Sequence, residues 1–214
     1  MSKITNFYRL NEIVLKAQGH ATRFLNGLTS NTLQAPRNAF LNQHGRIIAT
    51  CFQQQIAEDE FLLSVPESAL EPLLKHLERY AKLNHTQLQP IDHKAYMDMD
   101  SVKILFSPQE IPTEISQEAF TLFRLDHRMP FMGEDYSADE FILNIDEGDF
   151  VSYTKGCYLG QEPVSKVYNR SKPARKLMVK FEDECSPEEK GRMSSQVLDP
   201  RTGRLKGFIF VKNT

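Results

Sequence analysis

Lys155-Gly156-Cys157-Tyr158-Leu159-Gly160-Gln161-Glu162 is the stretch from which the rest of this chain is read. It sets a thiol near an ammonium group, between two glycines, with an amide and a carboxylate close behind. A thiol becomes nucleophilic or metal-binding when it ionises, and a neighbouring cation or helix N-terminus favours the thiolate. Lys155 stands two positions before Cys157, and Pro163 suits the first turn of a following helix. That order predicts a sulfur just ahead of the helix's positive end. Gly156 and Gly160 permit a turn or a close backbone approach that a side chain forbids. The competing reading is a tight loop around a small buried cysteine, because free Cys is among the most buried residue types. The octet is dense in functional groups and poor in core-forming ones, which favours the first reading.

Downstream of the octet lie Lys166, Arg170, Lys172, Arg175, Lys176 and Lys180 with no acidic residue among them. Most such runs are solvated surface; this one also has the charge to receive a polyanion such as RNA. Tyr168 alone interleaves with the cations, which weakens a single-stranded nucleic-acid reading. The net charge of −2 over 214 residues likewise gives no overall bias towards nucleic acid or an anionic membrane. Direct nucleic-acid binding is therefore not expected.

The N-terminal residues lack the apolar run of a secretory signal, and no stretch reaches the ~20 apolar residues of a membrane span. Cys51, Cys157 and Cys185 are widely spaced, without a C-x-x-C pair, which fits a reducing compartment and argues against a disulfide framework. The six histidines, among them His20, His76 and His127, show no ligand spacing, so a zinc enzyme is not expected. These features predict a cytoplasmic protein of one or two domains.

The periodicities predict a strand over 7–17, a helix over 21–28 and polar turns at 30–32 and 36–38. Residues 40–56 read as two strands or one long bent one, with Gly45 as the turn, and a buried strand follows at 61–65 after an acidic turn at 58–60. Pro66 opens a core helix in which Leu70, Leu73, Leu74, Leu77 and Ala81 recur at helical spacing. Strands near 86–91 and 102–106 precede a helix over 114–126 with Ile115, Ala119, Leu122 and Phe123 on one face. A strand at 141–145 and an acidic turn at 146–149 lead into the octet. After Pro173 the texture becomes short alternating strands, with a turn at 199–203 before the apolar run 207–211. The class is α+β with a small all-β tail.

The octet resembles the K-G-C-[FY]-x-G-Q-E signature of the YgfZ-type folate-binding proteins, the iron–sulfur branch of the glycine-cleavage T-protein (aminomethyltransferase) superfamily. Gly19-His20-Ala21-Thr22-Arg23-Phe24-Leu25-Asn26-Gly27-Leu28-Thr29-Ser30-Asn31 resembles that family's early G-D-A-x-x-F-L-x-x-x-T-N-D segment. Phe40-Leu41-Asn42-Gln43-His44-Gly45-Arg46-Ile47-Ile48 is similar to its x-L-x-x-x-G-R-I strand. Arg124-Leu125-Asp126 and Pro130-Phe131-Met132-Gly133-Glu134 are similar to R-I-E-x-G-x-P-x-x-G-x-E. Two positions depart from the pattern: Arg128 replaces a glycine, and Thr32 the aspartate of T-N-D.

The resemblance implies an aminomethyltransferase-like folate-binding fold. Residues 1–172 would form a core of two interleaved α+β subdomains, and 173–214 a shortened C-terminal β-domain. It implies tetrahydrofolate as the bound cofactor, with Asn31, Arg124, Asp126, Gly156, Tyr158, Gly160, Gln161, Glu162 and Arg175 as binding residues. Asp126 matches a family carboxylate suited to the donor–acceptor edge of a pterin. Read without the resemblance, Arg124, Asp126 and Glu134 make a helix-end salt bridge. Cys157 would be the reactive or cluster-contacting thiol and Lys155 its activator. The basic run would receive the folate's glutamate tail.

The implied role is a monomeric accessory protein that supports assembly or repair of iron–sulfur clients, including tRNA-modifying enzymes. The alternatives are a folate-dependent aminomethyltransferase, a Cys–His hydrolase and an RNA-binding module. A transferase needs an acid after the glycine-bearing turn, where this chain has Ala49 and Thr50.

Overall fold

The computed structural model describes residues 6–146 and 148–213. The reading of the extreme N-terminus as free of a secretory signal falls on residues 1–5, outside them. The chain opens with β1 (Phe7–Arg9), β2 (Glu12–Gln18) and α1 (Ala21–Leu28). Next come β3 (Arg37–Leu41), β4 (Ile47–Ala57), β5 (Glu60–Pro66) and α2 (Glu67–Asn84), then β6 (Gln87–Pro90), β7 (Lys94–Asp98) and β8 (Lys103–Ser107). The remainder is α3 (Gln117–Asp126), α4 (Gln161–Arg170), β9 (Arg175–Phe181), α5 (Pro187–Lys190), β10 (Ser194–Asp199) and β11 (Arg204–Lys212).

The centre is an antiparallel sheet in the order β3-β4-β5-β2-β6. Side chains alternate across a strand, and here both faces are covered. On β5, Phe61, Leu63 and Val65 enter a core shared with α1 and α2, whereas Leu62 enters a second core with Met97 of β7 and Phe120 of α3. Leu15 and Val14 divide in the same way on β2, as do Cys51 and Phe52 on β4. Burial on both faces explains why 61–65 reads as an almost unbroken apolar run. Along α2, Ala69, Leu73 and Leu77 are buried at i, i+4 spacing, so this helix packs on the sheet.

Several expectations are corrected. The single strand over 7–17 is two, broken at Leu10, whose N–H donates to Ala95. β1 pairs with β7 in a separate sheet, order β1-β7-β8, while β2 joins the central one. β7 was not anticipated: its apolar residues Ala95, Tyr96 and Met97 form a run too short to mark a strand by period. The strand at 141–145 is instead a 3-10 turn, Ile142–Asn144, with all three residues buried. A short apolar run cannot separate a strand from a buried turn. The helix expected over 114–126 begins after Ser116, whose hydroxyl caps it by accepting from Ala119 N–H. Its buried face holds Phe120, Phe123, Arg124 and Leu125, not Ala119 and Leu122. Arg37 and Asn38, read as a turn, open β3.

The tail is an open antiparallel sheet, order β10-β11-β9. Leu177 and Phe208 join the α1–α2 core, so the tail is docked on the body.

One buried acid in this framework has a measurable consequence. Ser64 Oγ donates to Glu12 Oε2 at 2.5 Å, and burial pushes the Glu12 carboxyl up to about 7. A folded-state value above the unfolded one means that ionisation costs stability, lost as pH rises from about 4.5 through about 7. Glu12→Gln is expected to be neutral near pH 4.5 and stabilising by about 1–2 kcal/mol at pH 8, read by urea unfolding at both pH values. Equal stability of the two proteins at pH 8 would refute the assignment.

Candidate functional site

The octet is held in place by the loop after α1. Ser152 N–H donates to Ser30 O at 3.0 Å, Leu159 N–H to Gly27 O at 3.0 Å, and Ser30 Oγ to Phe150 O at 2.6 Å. Lys155 Nζ completes the seam with bonds to Thr29 O at 2.6 Å and Asn31 O at 2.9 Å. Its ammonium also lies 5.3 Å from the centre of the Tyr158 ring, and burial lowers it to about 8. Lys155 is thus an anchor for the loop, its cation spent on carbonyls and a ring face.

Gly160 has φ of +85°, and a Cβ there would meet Asn42 O at 2.5 Å. Only glycine lets the chain press on the β3–β4 turn and swing into α4, which then buries Val164. Gly156 has open space around it. Gln161 and Glu162 occupy the first turn of α4, with Glu162 exposed. Cys157 is exposed, whereas Cys51 and Cys185 are buried and burial pushes both of their thiols up. The exposed thiol of the three is the one in the octet.

Beside this seam lies a cavity of about 280 Å³. Phe52, Met97, Ile104 and Met129 form apolar walls; Asn31, Arg37, His127 and Asp149 bring polar groups. Arg37 is nearly enclosed: its Nη1 pairs with Asp149 Oδ2 at 3.0 Å and its Nη2 donates to Pro130 O at 2.9 Å. Its guanidinium lies 4.2 Å from the Phe150 ring centre and 5.5 Å from that of Phe52. Asn31 Nδ2 donates to Asp149 O at 2.7 Å, and Asn31 N–H to Asn38 Oδ1 at 2.7 Å. The Asp149 side chain stays half exposed. Such a pocket suits a flat heterocycle: apolar walls take the ring faces, a carboxylate accepts its N–H groups, and a guanidinium donates to its oxygens.

Among the residues singled out beforehand, Asn31 lines this cavity and Lys155 bonds its carbonyl. Arg124 and Asp126 are placed elsewhere. Arg124 is fully buried against Glu134 and Asp135, with Nη2 2.8 Å from Ser195 Oγ. Asp126 accepts from Lys206 at 2.6 Å and Arg201 at 2.8 Å. Burial acts to raise its carboxyl, and those two cations outweigh it and hold the group below the usual range. Both residues tie α3 to the tail: Arg124 does pair with Glu134 as the helix-end salt bridge expects, whereas Asp126 joins the tail cations instead. Neither lines the cavity; Arg124 is a buried charge that its neighbours must neutralise, and Asp126 is taken up by the two tail cations.

Arg175 pairs with Glu140 and lies 4.3 Å over the Phe210 ring centre. Tyr158 is buried beneath Lys155. Arg37, His127 and Asp149 were not anticipated. Their signal was weak: Arg37 stood among turn-forming residues, and Asp149 ended an acidic turn.

Among the described residues no three His, Cys, Asp or Glu side chains gather to hold a metal ion, and no helix is long and apolar enough to cross a membrane. No family model and no curated protein matches the chain. Among solved structures it is similar to the glycine cleavage system aminomethyltransferase T from Bartonella henselae, with a TM-score of 0.68 and 12% identity. The match covers 96% of this chain and 78% of the other. The mixed α and β architecture is therefore an aminomethyltransferase T-like fold.

Proposed function

We propose that this chain binds tetrahydrofolate in the cavity beside the octet and serves iron–sulfur client proteins as an accessory factor, without transferring aminomethyl groups. The observation that carries the reading is the joined frame of Arg37, Asn31 and Asp149, which Lys155 ties to the loop presenting Cys157. The cavity volume of about 280 Å³ lies just under the usual lower bound of about 300 Å³ for small-molecule sites, so it would take a bicyclic ring with its tail outside. Bound folate would supply one-carbon chemistry at its ring nitrogens. Asp149 would accept N–H groups of the ring, Arg37 would hold Asp149 in place, and Phe52 and Met129 would exclude water. Gly156, Gly160, Gln161 and Glu162 would shape and orient the Cys157 loop.

The segment that follows the Gly45 turn supports the accessory role. Ala49 is buried, and Thr50 Oγ1 is paired with the Tyr136 hydroxyl at 2.8 Å, so no acid stands there to move a proton. A single thiolate cannot hold a cluster alone; Cys157 would act as a transient ligand or redox partner to a client. The proposal extends to a cytoplasmic monomer with residues 1–172 as two interleaved folate-binding subdomains and 173–214 as a shortened β-domain.

Calorimetric titration with tetrahydrofolate is the direct test. Binding is expected for the wild type and for Cys157→Ser, weakened about tenfold or more by Asp149→Asn. Alkylation at neutral pH should label Cys157 ahead of Cys51 and Cys185. No folate binding would remove the cofactor, and robust turnover in a coupled glycine-cleavage assay would establish the transferase instead.

A further inference from the structure

The basic run after the octet contains one aromatic in sequence, and the fold supplies a second. Tyr153, from the loop before the octet, lays its ring on Tyr168 with centroids 3.6 Å apart and planes 18° apart. Both side chains stay in solvent, Tyr153 at 42% and Tyr168 at 55% exposure. An exposed stack of this kind keeps an apolar ring face available to a further flat ring. It forms one wall of a recess of about 400 Å³ that also takes in Ser171, Lys172, Lys176 and Asn213.

Among the described residues Asp146 is the one carboxylate in the lining, and its Oδ1 is engaged by the N–H groups of Gly148 at 2.9 Å and Phe150 at 2.8 Å. Lys172 is exposed and makes no ion pair among the described residues; the same holds for Lys166 and Arg170. Those two stand four residues apart on the flank of α4 away from Tyr168. The recess lies at the C-terminal end of α4, whose dipole repels anions, so an anion there is drawn by side chains alone. An exposed ring stack beside the exposed Lys172 matches the chemistry of a base followed by its phosphate.

We propose that this recess binds a nucleotide unit, its base on the Tyr153–Tyr168 stack and its phosphate held by Lys172. The unit is either a free nucleotide or one residue of a single strand that continues beyond the recess. This sets local charge above the net charge of −2, which had argued against nucleic acid. The recess is separate from the folate cavity: Asp146 lines one and Asp149 the other, and they share no lining residue.

The test titrates the full chain with adenosine 5′-monophosphate, adenosine, a labelled oligoadenylate and polyglutamate. Tyr168→Ala should weaken monophosphate and oligoadenylate about fivefold or more, and Tyr168→Phe should not. Lys172→Gln should weaken the phosphate-bearing ligands and leave adenosine unchanged. Tighter, salt-sensitive binding of the oligoadenylate identifies a strand as the source; equal binding of the monophosphate identifies a free nucleotide. Tyr168 is exposed, so its variants should fold, and an unchanged melting temperature confirms it. The proposal fails if none of the adenine compounds binds, or if polyglutamate binds as well as oligoadenylate with Tyr168→Ala neutral. It also fails if tetrahydrofolate competes at the recess and Tyr168→Ala weakens both ligands, which would make this part of the folate site.

Discussion

Arg124→Met is expected to lower the unfolding free energy by about 3–5 kcal/mol, the usual consequence of removing one partner from a buried ion pair. The Arg124 and Asp135 side chains are both 0% exposed and bonded to each other, and the guanidinium lies 4.3 Å over the Phe131 ring centre. The substitution fills much of the space yet leaves Asp135 charged in an enclosed site. Ser194 and Ser195 also donate to Asp135 Oδ1, at 2.8 and 2.6 Å, so the tail sheet is tied through the same carboxylate. Burial already raises the Asp135 carboxyl, even with the arginine present. Without it the group rises further, and the variant loses stability as pH climbs from the ordinary carboxylate range through that raised value. The deficit should therefore be larger at pH 8 than at pH 4.5, and adding Asp135→Asn should recover part of it. Urea unfolding of the three proteins decides the matter; a loss under about 1 kcal/mol for the single variant would mean that the pair does not hold the tail.

Gly160→Ala should cost about 3 kcal/mol or more, combining a left-handed backbone penalty with a steric overlap. The methyl would sit 2.5 Å from Asn42 O and 3.1 Å from Leu41 Cβ, both in the β3–β4 hairpin. Backbone on one side and core on the other leave no cheap relief, so the octet must lift from the hairpin. Gly156→Ala is the control: nothing lies within 4 Å of its added carbon, and near-wild-type stability is expected. Thermal melts of both variants, with alkylation rates at Cys157, test the contrast. Equal melting temperatures would show that Gly160 does not clamp the loop.

Much of the framework is readable from residue order alone. α1 coincides with the helix expected over 21–28, Pro66 does precede α2, and Gly45 with φ of +72° does turn β3 into β4. These are local properties: periodicity, a fixed φ at proline and a missing Cβ act within a few residues. The octet's density of functional groups was legible for the same reason, and so was the short-strand texture of the tail. The failures arise where distant packing overrides the local pattern: 7–17 divides between β7 and β5, far along the chain, and the short apolar run 141–145 closes into a buried turn.

The cavity depended on distance in sequence. Arg37 meets Asp149 across 112 residues, and Lys155 meets Asn31 across 124. A charged side chain takes its role from whatever neutralises it, and burial makes that choice stringent. Arg124 and Asp126, two residues apart on one helix, could have faced a ligand; the tail brought Ser195, Arg201 and Lys206 to them first. Tyr153 and Tyr168 became a stack in the same manner, when the octet folded back along α4. Residue order settled which segments form helices, turns and strands, because those preferences act over a single turn. Only packing settled which charges and rings meet, because that depends on segments set well apart in the chain, as far as the 124 residues between Lys155 and Asn31.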